Sequence, residues 1–210
     1  MKVTLLSLVF FIFLLPSSIK SSSELDAYIE KYYIGKIEGH VDSEQIAYLT
    51  QIIKDHGCCK IGEIGFNAGH SSEAFLKINK KITVVSFDIM AHDYCLIAKE
   101  FIDFHFPERH LLIEGDSSIS IPKFKAQHPS LFFDLIFIDG GHSKLQAKKD
   151  LVSMRQFSNK NTIVVLDDLH LKGPSQAWEE CKKEGIIKET QRYKAKNSRR
   201  YWGVGKYIIK

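Results

Sequence analysis

Residues 60–69 read Lys60-Ile61-Gly62-Glu63-Ile64-Gly65-Phe66-Asn67-Ala68-Gly69, and they set the frame for the whole chain. An apolar run meets an acid and then two glycines, Gly65 and Gly69. Ser71-Ser72-Glu73 follows as a helix start, with an apolar stripe at Ala74, Phe75 and Ile78. The pattern is strand, glycine turn, helix: the first βα unit of a doubly wound sheet. Ligands of such sheets sit outside the carboxyl ends of the strands, where the strand order reverses. A pyrophosphate-binding turn carries Gly-x-Gly-x-x-Gly at a helix start. Here Glu63 stands just before Gly65. A carboxylate there repels a pyrophosphate and suits an ammonium or sulfonium group.

The next strand, Ile82-Thr83-Val84-Val85-Ser86-Phe87-Asp88, ends in an acid about twenty residues beyond the glycine turn, where a carboxylate meets a ribose diol. Asp88 equally suits a helix cap. Asp93 to His105 reads as a helix stopped by Pro107. A third strand, His110 to Glu114, runs into Gly115-Asp116-Ser117, where Asp116 or Ser117 also serves as a helix cap. Phe132 to Asp139 is a nearly continuous apolar strand, as expected when both faces are covered. Gly140-Gly141 then turns the chain, and His142 opens a helix to about Phe157. Asn161 to Asp168 is a fifth strand, and Pro174 to Lys183 a helix with Trp178 on its apolar side. Ile186 to Lys194 and Arg200 to Ile209 form an antiparallel edge pair.

Taken together, residues 61–69, Asp88, Gly115-Asp116-Ser117 and Phe137-Ile138-Asp139-Gly140-Gly141-His142 resemble a class I methyltransferase dependent on S-adenosylmethionine. More narrowly, they resemble the small O-methyltransferase-like family with a Phe-Ile-Asp-Gly-Gly-His motif, over roughly residues 37–206. The resemblance implies an α/β fold: a Rossmann-like, doubly wound, seven-stranded, mostly parallel sheet with an antiparallel C-terminal edge hairpin. It implies a cofactor site of Glu63, Gly65, Asn67, Gly69 and Ser71, then Asp88 on the ribose, Asp116 and Ser117 on the adenine, and Asp139. The acceptor it implies is a small hydroxylated molecule.

Asp139, His142, Asp167, Asp168 and His170 end two strands. If those strands are neighbours, several carboxylates converge, and such packing is costly unless they hydrogen-bond, protonate or share a cation. A hard divalent ion such as Mg²⁺ answers this. In catechol-type relatives the ligands match Asp139, Asp167 and Asp168, although the last position there is an amide. The alternative is that Asp167 and Asp168 cap a loop and Asp139 meets the cofactor. Asp139 and His142 are the catalytic candidates, with His142 as general base because imidazole titrates near neutral pH.

Residues 1–23 differ from the rest. Lys2, an apolar run from Val3 to Leu15, Pro16 and a serine-rich stretch read as a secretory signal peptide or, alternatively, a short membrane anchor. Residues 24–40 give a short amphipathic helix and a loop, and 41–210 the main domain. With 44% hydrophobic and 26% charged residues, disorder is not expected. Four cysteines in 210 residues make no disulfide scaffold and show no zinc spacing. The net charge of +4 gathers in the C-terminal tail, where lysine and arginine protect a sheet edge. No motif supports a nucleic-acid partner, membrane contact is expected only through the N-terminal segment, and the oligomeric state is not legible. A dehydrogenase is the main alternative, but the third glycine and a Tyr-x-x-x-Lys pair are missing. A non-catalytic cofactor-binding protein is another. Gly69-His70-Ser71-Ser72-Glu73 fails as a nucleophile elbow because Glu73 stands where a small residue is needed.

Overall fold

The structure is a computed structural model that describes residues 23–39 and 42–209. Of the segment 1–23, expected to direct export or anchoring, residues 1–22 lie outside the described residues, and Ser23 caps α1. Among the described residues no helix is long and apolar enough to cross a membrane.

In chain order the elements are α1 Glu24–Tyr32, α2 Ser43–His56, β1 Lys60–Ile64, α3 His70–Ile78, β2 Thr83–Asp88, α4 Tyr94–His105 and β3 His110–Glu114. They continue with α5 Ser117–Gln127, β4 Leu135–Ile138, α6 Lys144–Met154, β5 Ile163–Leu166, α7 Lys172–Lys183, β6 Ile187–Lys194 and β7 Tyr201–Tyr207. The strands form one seven-stranded sheet in the order β3-β2-β1-β4-β5-β7-β6. β1 to β5 are parallel, and β7 runs antiparallel to both β5 and β6. This is the expected fold. The order reverses at β1, between β2 and β4, so a crevice opens there at the carboxyl ends.

Side-chain alternation explains the continuous apolar runs. Ile163 and Val165 of β5 pack with α1 to α4, whereas Val164 and Leu166 pack with α5 to α7. A strand covered on both faces needs no polar alternate positions. Trp202 closes the first layer at the β7 side and Trp178 the second, and both are fully buried.

Local signals set the ends. Asp42 accepts from the Glu44 N–H at 2.8 Å and caps α2, and Gly57 ends it in the left-handed region. Several expectations need correction. α3 begins at His70 with Gly69 as its uncapped N-cap, so Ser71 and Ser72 lie inside the helix and their hydroxyls are used elsewhere. β4 is shorter than expected, Leu135–Ile138, although the Asp134 backbone still bonds to Lys60 and Ile163 while its side chain accepts from the Cys59 and Lys60 amides at 2.8 and 2.9 Å. α6 starts at Lys144, capped by Ser143, rather than at His142. α5 realises the helix-cap alternative at Asp116, although Pro122 interrupts its helical signal.

The tightest crossing lies at the switch point. Gly65 has φ +95°, and a Cβ there would stand 2.0 Å from the Asp139 carbonyl oxygen. Only glycine meets both demands. Gly65→Ala should therefore lower unfolding stability by at least about 3 kcal/mol. Urea denaturation checks this, and a loss below about 1 kcal/mol would contradict the close approach.

Candidate functional site

A cavity of about 570 Å³ opens at the carboxyl ends of β1 to β5, a size suited to a small-molecule ligand. Its walls come from the turns that follow successive strands. Two of its lining residues, Asn67 (φ 49°) and Asp168 (φ 57°), hold left-handed backbone, as does Met90 (φ 58°) between the lining residues Ile89 and Ala91. Such conformations concentrate at functional sites.

The β1–α3 turn and the β2 end are tied together. Asp88 Oδ2 accepts from the Asn67 N–H at 2.9 Å, and Oδ1 accepts from the Met90 N–H at 2.7 Å. Each oxygen keeps a lone pair for the cavity. The Asn67 side chain donates to the Glu38 carbonyl at 2.6 Å and accepts from the Tyr94 hydroxyl at 2.7 Å. Glu38 and Gly39 are thereby held along the cavity edge.

At the β3–α5 turn, Asp116 both lines the cavity and caps α5, accepting from the Ser118 N–H at 2.8 Å. Hydrogen bonding from the Ser118 side chain, and then from its amide, holds the Asp116 carboxyl below the usual range. The cap and ligand roles, weighed as alternatives from sequence, coexist in one side chain. Ser117 donates to Asp150 at 2.6 Å and accepts from the Gln146 amide at 2.9 Å. Asp150 and Gln146 also line the cavity and were missed from sequence. Their spacing of one helical turn on α6, a polar pair inside a buried stripe, was the available signal.

Glu63 is the main correction among the expected ligand residues. It lies outside the cavity wall, fully buried beneath it. Ser71 donates to Oε1, while Ser72 and Ser86 donate to Oε2 at 2.6 and 2.5 Å. Ser71 lines the cavity, so Glu63 reaches the site only through that hydroxyl. Burial pushes the Glu63 carboxyl up, and the three serine hydroxyls oppose this. His110 extends the network with Nε2 3.0 Å from Ser86 Oγ, and burial lowers its imidazole to about 3.

Among the other expected residues, Gly65, Asn67, Ser71, Asp88, Asp116, Ser117, Asp139 and His142 all line the cavity. Gly69 does not, but its left-handed backbone (φ +76°) lets α3 begin behind the turn. His70 joins the lining and pairs with Asp26 of α1 at 2.7 Å, a contact that no motif announced.

At the β4 and β5 tips, Asp139, His142 and Asp168 each offer a ligand atom, all within 4.8 Å of one another. His142 Nε2 is 2.8 Å from Asp168 Oδ2, and the imidazole is mostly exposed. Asp167, expected as a ligand, does not join this triad. Its Oδ1 accepts from the Asp168 N–H at 2.7 Å, and its Oδ2 lies 3.8 Å from Arg200 Nη1. Gln45 approaches Asp167 as well, but neither its amide atoms nor Asp167 Oδ2 completes a hydrogen bond. Burial, then the charges of Asp167 and Asp168, push Asp139 well above the carboxylate range. Burial, then the Asp168 charge, push Asp167 up to about 6.

A sheet of this order with a strand-tip cavity defines an α/β ligand-binding fold, and comparison with known proteins gives its family. A family model described as a methyltransferase domain matches residues 63–169, just over half of the 210. The chain belongs to that methyltransferase family. Comparison with curated proteins gives no match. Among solved structures, the O-methyltransferase TomG from Streptomyces achromogenes, involved in tomaymycin synthesis and solved with S-adenosylmethionine, aligns with TM-score 0.72 at 13% identity. It covers 92% of this chain and 93% of that one. An O-methyltransferase from Bacillus cereus, solved with S-adenosylhomocysteine, aligns with TM-score 0.67 at 18% identity, covering 86% and 96%. A candidate caffeoyl-CoA O-methyltransferase from Staphylococcus aureus aligns with TM-score 0.68 at 20% identity, covering 88% and 93%. At these identities the likeness is one of fold.

The acid cluster predicts a pH response. A carboxyl raised from 3.8 to about 6 contributes stability that is complete below 3.8 and lost as pH rises through about 6. Asp168→Asn removes the neighbouring charge, so Asp167 should titrate lower and that stability loss should shrink. Carboxyl ¹³C titration by NMR checks the shift, and an unmoved Asp167 would contradict the charge coupling.

Proposed function

We propose that this chain is an S-adenosylmethionine-dependent methyltransferase that transfers a methyl group to an oxygen of a small hydroxylated molecule. One observation carries the reading. Six acidic side chains line the cavity, Glu38, Asp88, Asp116, Asp139, Asp150 and Asp168, of which burial moves Asp139 and Asp150 toward the neutral form, against a single Lys or Arg side chain among the described residues, Arg200. Such a wall attracts a cationic nucleoside and repels a pyrophosphate, which weighs against a nicotinamide cofactor.

S-adenosylmethionine supplies a methyl group on a positively charged sulfur. Asp88, at the β2 tip, accepts hydrogen bonds from the ribose hydroxyls. Asp116 and Ser117, at the β3 tip, are placed for the adenine edge, with Gln146 and Asp150 holding Ser117 in position. Gly65 gives the ligand close access to the backbone, and the Ser71 hydroxyl replaces Glu63 as the polar group facing it. His142, oriented by Asp168, takes the proton of the acceptor hydroxyl, since a neutral hydroxyl attacks a sulfonium poorly.

A divalent ion would be held by Asp139, His142 and Asp168 rather than by Asp167. Two carboxylates and an imidazole suit Mn²⁺ or Zn²⁺ better than Mg²⁺. With the ion bound, His142 would serve as a ligand and not as the base, and the ion itself would lower the pKa of an acceptor hydroxyl. For the segment 1–23, the charge of Lys2 ahead of an apolar run supports export, with a short anchor as the alternative.

Calorimetric titration with S-adenosylhomocysteine tests the cofactor reading. The wild type should bind, and Asp88→Asn should weaken binding at least tenfold, as for one lost charge-assisted bond of about 1.5–3 kcal/mol. Absence of wild-type binding, or equal affinity in the variant, would overturn it.

A further inference from the structure

The cavity has a second electrostatic character at its far end. Arg200 precedes β7 and lies beside the β5 tip, because Leu166 pairs with Gly203. The residues assigned to the nucleoside follow β1, β2 and β3, on the opposite side of β4. Arg200 therefore faces the end of the cavity left for the methyl acceptor.

Its backbone is fixed while its side chain is not. The Arg200 carbonyl accepts from the Ala195 N–H at 3.0 Å, and its own N–H donates to Ser198 Oγ at 3.3 Å. The turn between β6 and β7 is tied to α2 by Glu44, which accepts from the Lys196 N–H at 3.0 Å and from the Tyr193 hydroxyl at 3.0 Å. By contrast, among the described residues the guanidinium makes no hydrogen bond: it approaches Asp167 at 3.8 Å, too long for one, and acts on Asp139 through its charge alone. Asp167 Oδ2 itself is buried and unpartnered. A planar group with five donors is thus held at a cavity wall with its hydrogen-bonding capacity unused. Guanidinium forks match carboxylates and phosphates in a bidentate manner.

Resting on the methyltransferase reading above, we propose that Arg200 is the specificity-determining anchor for an acidic group, carboxylate or phosphate, on the methyl acceptor. The acceptor hydroxyl then points toward His142 and Asp168, while its acidic group pairs with Arg200 across the mouth of the β5 tip. The neighbouring acids are engaged elsewhere: Asp168 is paired with His142, and Asp167 Oδ1 accepts from the Asp168 N–H.

The test uses the full chain saturated with S-adenosylhomocysteine and titrated calorimetrically with three probes. These are 4-hydroxybenzoate, 4-hydroxyphenyl phosphate and uncharged hydroquinone. At least one acid should bind tenfold or more tightly than hydroquinone, and which acid does so separates a carboxylate site from a phosphate site. Arg200→Gln should abolish that preference without changing S-adenosylhomocysteine affinity, and Arg200→Lys should restore part of it. If Arg200 only neutralised Asp167, Arg200→Gln would lower stability and leave the preference intact, which would overturn the proposal. Equal or absent binding of all three probes would overturn it as well. Failure of the wild type to bind S-adenosylhomocysteine defeats the cofactor reading, a separate outcome read before any probe is added.

Discussion

The site depends on a backbone contact between two strands. β1 must turn into α3 while lying against the carbonyl of Asp139, and only a residue without a Cβ can occupy Gly65. That contact fixes the distance between the β1–α3 turn and the β4 tip. The Asn67 amide then reaches Asp88, and the Asp139 carboxylate is held at the base of the cavity. Once this crossing is set, the carboxyl ends of three further strands fall around one space.

Beneath it, the polar network of Glu63 secures the helix start. A buried carboxyl is costly unless it is hydrogen-bonded, and here three hydroxyls from α3 and β2 serve it. Its role is internal: it locks α3 to the sheet so that Ser71 presents a hydroxyl to the cavity. The acids that do face the cavity divide by environment. Asp116, exposed and capped, stays ionised, whereas Asp139 is pushed toward its neutral form by burial and by like charges.

Much of this was legible in the sequence because the signals were local. Strand positions, the Asp42 cap of α2 and the acids at strand tips follow from short-range pattern, and the seven-stranded sheet agrees with that reading. Glu63 was misplaced because its partners come from two elements whose packing no spacing reveals. Asp167 and Asp168 were indistinguishable as a dipeptide. The left-handed backbone of Asp168, φ 57°, sends its carboxylate to His142 and leaves Asp167 facing Arg200. The extent of α5 was obscured by Pro122, and Gln146 and Asp150 were hidden by a helix whose polar pair resembles an exposed face until α5 packs over it.

The central claim is that a sulfonium nucleoside lies across the tips of β1 to β4. Amide hydrogen exchange with and without S-adenosylhomocysteine tests this most directly. Protection should appear at residues 65–71, 88–92, 115–118 and 139–142, with little change at the amino ends of the strands, around residues 57–60 and 107–110. Protection confined to the β6–β7 hairpin, or none at all, would contradict it.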